Sequence, residues 1–424
     1  MKGFIEHTLT DSINIRSLLE NFSLDKDLLN SEPEKTKIEY FNTGQIEIPR
    51  YVNEFWTSGQ RKASSIHEVS YRACFKPQIP AFFINLFTDK DDFVYDPFSG
   101  RGTTIIEAGL CGRNIISNDI NPLSKILSFP RFFIPDMKKL EKRLKEISLD
   151  RNLKSEIDLS MFYHVDTERE LISLKSYLKE REVSQSEDNL DKWIRMVATN
   201  RLTGHSRGFF SVYTLPPNQA VSQESQVRIN KKLEQKPEYR NTLEIILKKS
   251  KNLIKTLDKE QIKHLKLAGS KGIFLCKDAG KTKEIKSETV QLTVTSPPFL
   301  NIVHYSADNW LRCWFNSIDD KEIGKKITMA RTVEEWSSVM GDVFRELYRI
   351  TRKNGWVAFE VGEVRKGKIN LDEYIVPIGI KSGFKCEAIL INAQNFTKTS
   401  NIWGVKNNNY GTNSNRIIIF QKVP

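Results

Sequence analysis

No window of the chain holds about 18 or more uninterrupted apolar residues, so nothing in it reads as a membrane-spanning helix. The opening stretch MKGFIEHTLTDS has no apolar centre of the kind a secretory leader needs, and the expectation is a cytoplasmic protein with no membrane partner. Cysteine is scarce. Cys74, Cys111, Cys276, Cys313 and Cys386 are scattered with no CxxC pair, which excludes a zinc knuckle and a disulfide framework and leaves reduced, mostly buried thiols. The histidines His7, His67, His164, His205, His264 and His304 form neither an HxH nor an HExxH spacing, so metal hydrolysis is unsupported and no metal is expected. Internal repeats and low-complexity tracts are missing too, and a repeat architecture is not indicated.

What is present suits a folded enzyme-sized chain. Its 424 residues, 39% hydrophobic and 10% aromatic, suffice for one large core or two smaller ones, a catalytic-sized domain with something appended or inserted. The net charge of +12 is unevenly spread. Between Arg201 and Ser270, fourteen lysines and arginines stand against six acidic residues. Such a surplus suits a polyphosphate partner, because each neutralised phosphate releases a condensed counterion. It equally describes the solvated face of lysine-rich helices, so charge alone makes nucleic acid a lead and no more.

Periodicity divides the chain. Residues 1–53 are polar with no strong period; DSINIRSLLENF predicts a short amphipathic helix and SEPEKTK a loop. Further on, Ile79, Phe82, Phe83 and Leu86 fall on one helical face. A short apolar strand (Phe93–Tyr95), a glycine-containing turn, an apolar helix (Thr103–Leu110) and a second strand (Asn114–Ser117) leading to Asp119 then make a strand–turn–helix–strand unit. That is the unit of a doubly wound, mostly parallel α/β sheet. From Met137 helix-like stretches such as LEKRLKEI, TERELISLKSYLKERE and TLEIILKKSKNLIKTL take over, and strands resume at GIFLCKDAG, VQLTVTSPPF, GWVAFEVGE, FKCEAILIN and NRIIIFQK. The expected organisation is an N-terminal extension (1–53), one half of an α/β domain (54–136), a largely helical insertion (137–270) and the second half of the domain (271–424).

Two stretches carry chemistry. In DPFSGRGTT, Gly100 and Gly102 remove side chains where strand turns into helix at Thr103, so a ligand can approach the main chain and the positive helix end. Asp119 stands at the end of the next strand, where an acidic residue of a nucleotide-binding unit accepts bonds from ribose hydroxyls; as a structural residue it would simply shape the turn before Asn121-Pro122. The third glycine of a dinucleotide fingerprint is missing and Asp96 precedes the turn. Both features point to a positively charged ligand group rather than a pyrophosphate, such as a sulfonium cofactor bearing a ribose and an α-amino group. Asp278, ending IFLCKD, is placed to meet an adenine amino group, or to cap a helix. VQLTVTSPPF closes a strand on Ser296, Pro297, Pro298 and Phe299. Paired prolines hold the chain stiff with carbonyls free of any ladder. A hydroxyl, rigid acceptors and an aromatic face within four residues complement a planar base with an exocyclic amino group.

Together DPFSGRGTT, SNDINP, TVTSPPF and TKTSNIWGVKNNNYGTNSNRIIIF resemble the amino-methyltransferases of DNA, and among them the cytosine-N4-specific enzymes. The resemblance runs from about Glu54 to the C-terminus. It implies a class I, Rossmann-like methyltransferase that binds S-adenosylmethionine, flips a base out of double-stranded DNA and methylates its exocyclic nitrogen. Carried over by position, Asp96, Phe98, Gly100, Gly102 and Thr103 form the cofactor loop, Asp119 meets the ribose and Asp278 the adenine. Ser296, Pro297, Pro298 and Phe299 hold the target base, and HEVSYRACFKP implicates Phe75 and Pro77 on the cofactor side. Serine in the first position of SPPF favours cytosine, whereas Phe299 stands where tyrosine is more common, and the cofactor loop precedes the catalytic motif where many cytosine-N4 enzymes have the reverse. In the insertion, Arg207, Arg228, Lys231 and Lys232 are candidates for DNA contacts. A cognate restriction endonuclease is an implied partner. Adenine-N6 methylation and methylation of base amino groups in RNA use the same chemistry and stay open. Cytosine-C5 methylation requires a cysteine nucleophile, usually presented after a proline, and no cysteine here follows one. A DNA-binding protein without activity would account for the basic insertion and leave the carboxylates unexplained.

Overall fold

The computed structural model describes residues 14–22, 35–44, 46–55, 63–71, 74–150, 152–214, 220–298, 305–327, 330, 332–364, 368–393 and 414–424. Eleven strands are present among them: β1 (Lys37–Asn42), β2 (Glu47–Asn53), β3 (Phe93–Asp96), β4 (Asn114–Asn118), β5 (Ile273–Leu275), β6 (Val290–Thr295), β7 (Thr351–Val361), β8 (Glu363–Val364), β9 (Ile369–Asn370), β10 (Lys385–Ala393) and β11 (Ser414–Gln421). Nine form one sheet in the order β1-β2-β10-β11-β7-β6-β3-β4-β5, and β8 and β9 pair separately. The run from β5 to β7 is parallel throughout, and β11 enters antiparallel between β7 and β10. This is the doubly wound α/β sheet that the sequence predicts. The strand–turn–helix–strand unit lands within a residue of its expected bounds, with its helix at Thr103–Leu110.

Successive residues of a strand face opposite sides, and the sheet accordingly separates two apolar cores. Val94, Ile115 and Trp356 point into one, Tyr95, Ile116 and Val357 into the other. The insertion joins the first. Trp193 and Met196 of the helix Asn189–Arg201, Leu253 of the helix Thr242–Ile254 and Leu265 of the helix Lys259–Lys271 belong to the same cluster as β3 and β6. At Gly109 an added Cβ would lie 2.8 Å from the Phe132 ring and 3.2 Å from Leu265, so the absent side chain is what lets the helix Lys259–Lys271 dock on the helix after β3.

The N-terminal segment holds two elements beyond the short helix Ile15–Glu20, which lies within DSINIRSLLENF. Strands β1 and β2 form a hairpin, and β2 extends the main sheet by pairing parallel to β10. Their sequences, KIEYFN and EIPRYVN, are too polar and too short to announce strands. The sheet edge recruits them by main-chain bonds and by burying Ile48 and Tyr51. The ion pair of Arg50 with buried Asp372 at 2.9 Å fixes the junction.

Candidate functional site

In a doubly wound sheet, ligands bind beyond the carboxyl ends of the strands where the chain's winding reverses. Here β3 is flanked by β4 on one side and β6 on the other, so the turns after β3 and β6 open on the same crevice. Both glycines of the first turn have left-handed backbones, with φ of +51° at Gly100 and +80° at Gly102. A Cβ at Gly102 would also come within 2.6 Å of the Ser128 side chain. The Gly100 N–H donates to Asp119 Oδ2 at 2.8 Å and the Asn121 N–H to Asp119 Oδ1 at 2.9 Å. Asp119 thus ties the end of β4 to the glycine turn and keeps lone pairs for a ligand's hydroxyls.

Two further interactions set the cavity's frame. The Arg101 guanidinium donates to the Val69 carbonyl at 3.0 Å and, more weakly, to those of His67 and Phe75. Fully buried Arg131 donates to the carbonyls of Ile66, at 3.2 Å, and of Arg101. These guanidiniums hold the strap Ile66–Tyr71 and the segment from Cys74 against the glycine turn. One cavity results, walled by Tyr71, Cys74 and Phe75, by Phe98 to Gly100 and Thr103, by Asp119 and Asp278, by Ser296 and Pro298, and by Trp336, Val339, Met340 and Val343. The last four come from the helix Val333–Ile350 and give the crevice an apolar side.

The carboxyls around it are starved of solvent. Burial pushes the pKa of Asp119, at the cavity wall, up to about 6, and that of Asp96, turned into the sheet below it, up to about 7. A hydroxyl-bearing ligand with an aromatic base would find acceptors on Asp119 and cover from the apolar wall.

Beyond Ser296 lies a residue that sequence reasoning missed. Glu360, on β7 beside β6, is 7% exposed and its carboxyl is hydrogen-bonded by Ser296 and by Asn415 of β11. Burial, partly opposed by those two bonds, pushes its pKa up to about 7. The signal was an acid inside the otherwise apolar run GWVAFEV, a residue type that is buried in a central strand only with partners. A hydroxyl that donates to a buried carboxyl turns its lone pairs to the cavity, where they can accept an N–H.

A DNA methylase family model, that of the N6 and N4 enzymes, matches residues 20–125, which hold the strap and the glycine turn. The type II methyltransferase M.BsoBI of Geobacillus stearothermophilus is 27% identical over 355 residues, 75% of this chain and 67% of the relative. The family model and this relative are both DNA methylases, as the resemblance read from the sequence implied. A second relative, the type II methyltransferase M.MjaII of Methanocaldococcus jannaschii, is 29% identical over 91 residues, 21% of this chain and 17% of its own. Among solved structures, a TehB-like SAM-dependent methyltransferase from Corynebacterium glutamicum aligns over 81% of this chain and 86% of its own, at 8% identity and a TM-score of 0.28. The fold of this chain rests on its own strand order.

Of the residues expected at the site, Phe75, Phe98, Gly100, Thr103, Asp119, Asp278, Ser296 and Pro298 line the one cavity. Asp96, Gly102, Pro77 and Pro297 do not. The Asp96 carboxyl turns back into the sheet, accepting from Thr295 Oγ1 at 2.7 Å and from the Phe98 N–H at 3.1 Å, which fastens the end of β3 to the end of β6. Gly102 is set by close packing, Pro77 caps the helix Gln78–Phe87, and Pro297 is buried. The Pro298 carbonyl, expected to be free, accepts from Trp336 Nε1 at 2.9 Å. Phe299 and most of TKTSNIWGVKNNNYGTNSNRIIIF lie outside the described residues. Arg207, Arg228, Lys231 and Lys232 are all exposed and none lines the cavity.

Proposed function

We propose that this chain transfers a methyl group from S-adenosylmethionine to the exocyclic N4 of a cytosine flipped out of a specific duplex DNA sequence, as the modification partner of a restriction endonuclease. The observation that carries the reading is the shared cavity of Ser296 and the Gly100–Asp119 turn. S-adenosylmethionine, when bound, supplies an electrophilic methyl carbon. Asp119 would receive the ribose hydroxyls, Asp278 the adenine amino group, and the Trp336–Val343 face would cover the adenine ring.

The chain's own groups then act on the target amine. Ser296 Oγ accepts one of its N–H bonds, directing the nitrogen lone pair toward the methyl carbon. Positive charge grows on the nitrogen as the new N–C bond forms, and the Glu360 carboxylate steadies it through the Ser296 hydroxyl. With its pKa near neutrality, Glu360 is suited to take up the proton that the amine releases. Phe299 is assigned the face of the base, and residues 137–270, with Arg207, Arg228, Lys231 and Lys232, the reading of the DNA sequence. Phosphate contacts there would offset the few kcal/mol that flipping costs.

The test is methylation of duplex DNA by the purified chain with labelled S-adenosylmethionine, followed by mass analysis of the nucleosides. N4-methylcytosine is expected. N6-methyladenine would move the target to adenine, and absence of label on DNA together with label on RNA would overturn the DNA reading.

A further inference from the structure

Exposed cations gain little from a phosphate they already share with water, whereas a buried cation without an anion is costly. The chain holds such cations where the strap meets the insertion. A cleft there is lined by Glu68, Tyr71, Cys74 and Arg101 on one side and by Arg201, His205 and Lys249 among others on the insertion side. Tyr71 and Cys74 line both this cleft and the site cavity, so the two adjoin through a shared wall.

Arg201 ends the helix Asn189–Arg201 and is 8% exposed. Its guanidinium donates to the Asn200 carbonyl at 3.1 Å and to Asn200 Oδ1 at 2.7 Å, and it stacks on the Phe209 ring at 3.9 Å. No carboxylate pairs with it among the described residues. Lys249, 9% exposed, has one ionic partner among them, Glu68, at 3.3 Å. The Glu68 side chain is itself half exposed. Behind the cleft, Arg312 adds a third buried cation whose charge acts on Arg201; it is bound to Asn309 Oδ1 and the Ser70 carbonyl, with Asp308 as its nearby acid. Burial and the neighbouring Arg201 push the Lys249 ammonium down to about 8. The cluster is short of negative charge and opens to solvent.

We propose that this cleft seats a phosphodiester of the DNA strand carrying the target nucleotide, gripped by the Arg201 fork and the Lys249 ammonium. The inference rests on the DNA methyltransferase reading and deepens it. A guanidinium and an ammonium converging on one opening match the two free oxygens of a phosphodiester. A flipped nucleotide in the adjoining cavity also carries its own phosphates within one nucleotide's reach of the shared wall. Seated there, the phosphate would anchor the backbone beside the flip without reading sequence.

The experiment measures binding of the full chain to duplex DNA over a salt series. Arg201→Met and Lys249→Met, which keep length and apolar bulk, should each weaken binding about tenfold and lower the slope of log K against log salt by about one, for cognate and unrelated duplexes alike. Binding of S-adenosylmethionine should stay at the wild-type level. Glu68→Gln removes the competing carboxylate and no cation, and should tighten DNA binding several-fold; it keeps the test decisive if a cation variant does not fold. Folded variants with wild-type affinity and slope, or a Glu68→Gln chain with unchanged affinity, would overturn the proposal while leaving the methyltransferase reading intact. A wild-type chain that binds no DNA would overturn both.

Discussion

Ser296 and Glu360 form a pair that neither residue explains alone. The hydroxyl presents acceptors to the cavity because the carboxyl behind it takes its proton bond. Ser296→Ala should therefore lower turnover roughly a hundredfold with little change in affinity for S-adenosylmethionine, read by single-turnover kinetics and calorimetry. Asp119→Ala should do the reverse, weakening cofactor binding about tenfold or more through the loss of charged acceptors. Glu360 makes a prediction about pH as well. Its folded pKa of about 7 stands above the ordinary 4.5, so between those values the folded chain holds a proton that the unfolded chain has lost, and stability falls as pH rises through that window. Asp96, raised to about 7 from 3.8, acts in the same direction. Glu360→Gln should melt close to wild type near pH 4 and above it at about pH 8, while its turnover drops and loses the rise with pH that the wild type shows through about 7.

At the scale of elements, the site depends on how closely two helices and two turns approach. The helix Lys259–Lys271 belongs to the insertion yet lies on the helix Thr103–Leu110, which carries the glycine turn, because Gly109 offers no side chain. Gly109→Ala would place a methyl 2.8 Å from the Phe132 ring and should cost about 1–3 kcal/mol in urea denaturation, with cofactor affinity falling as the turn loosens. Much of this level was legible. Helix Thr103–Leu110 and strands β3, β4, β6, β7, β10 and β11 follow from largely apolar runs bounded by turn residues, since most of their residues are buried. The strands β1 and β2 were not, because only the edge of β10 makes their polar sequences into strands.

For the whole molecule, the nine-stranded sheet and the insertion share a core, so the N-terminal strands and the helices are parts of one folding unit. Removing residues 1–53 would uncover β10, expose the partners of Ile48 and Tyr51 and break the Arg50–Asp372 pair. The truncated chain should lose more than about 3 kcal/mol of stability and aggregate through the freed edge, seen as a lowered denaturation midpoint and concentration-dependent light scattering.

The glycine turn, its partner Asp119 and the Ser-Pro-Pro rim are written in the sequence, because each needs particular residue types over a few consecutive positions. So is the alternation of strands and helices that makes the sheet doubly wound. The sequence did not reveal that Asp96 faces the sheet, that Glu360 stands behind Ser296, or that the insertion's buried cations open beside the cavity. Those facts depend on which strands become neighbours and which helices pack on them. Contacts between residues tens to hundreds of positions apart leave no local pattern, and only the folded chain brings Glu360 to Ser296 and Arg201 to the strap.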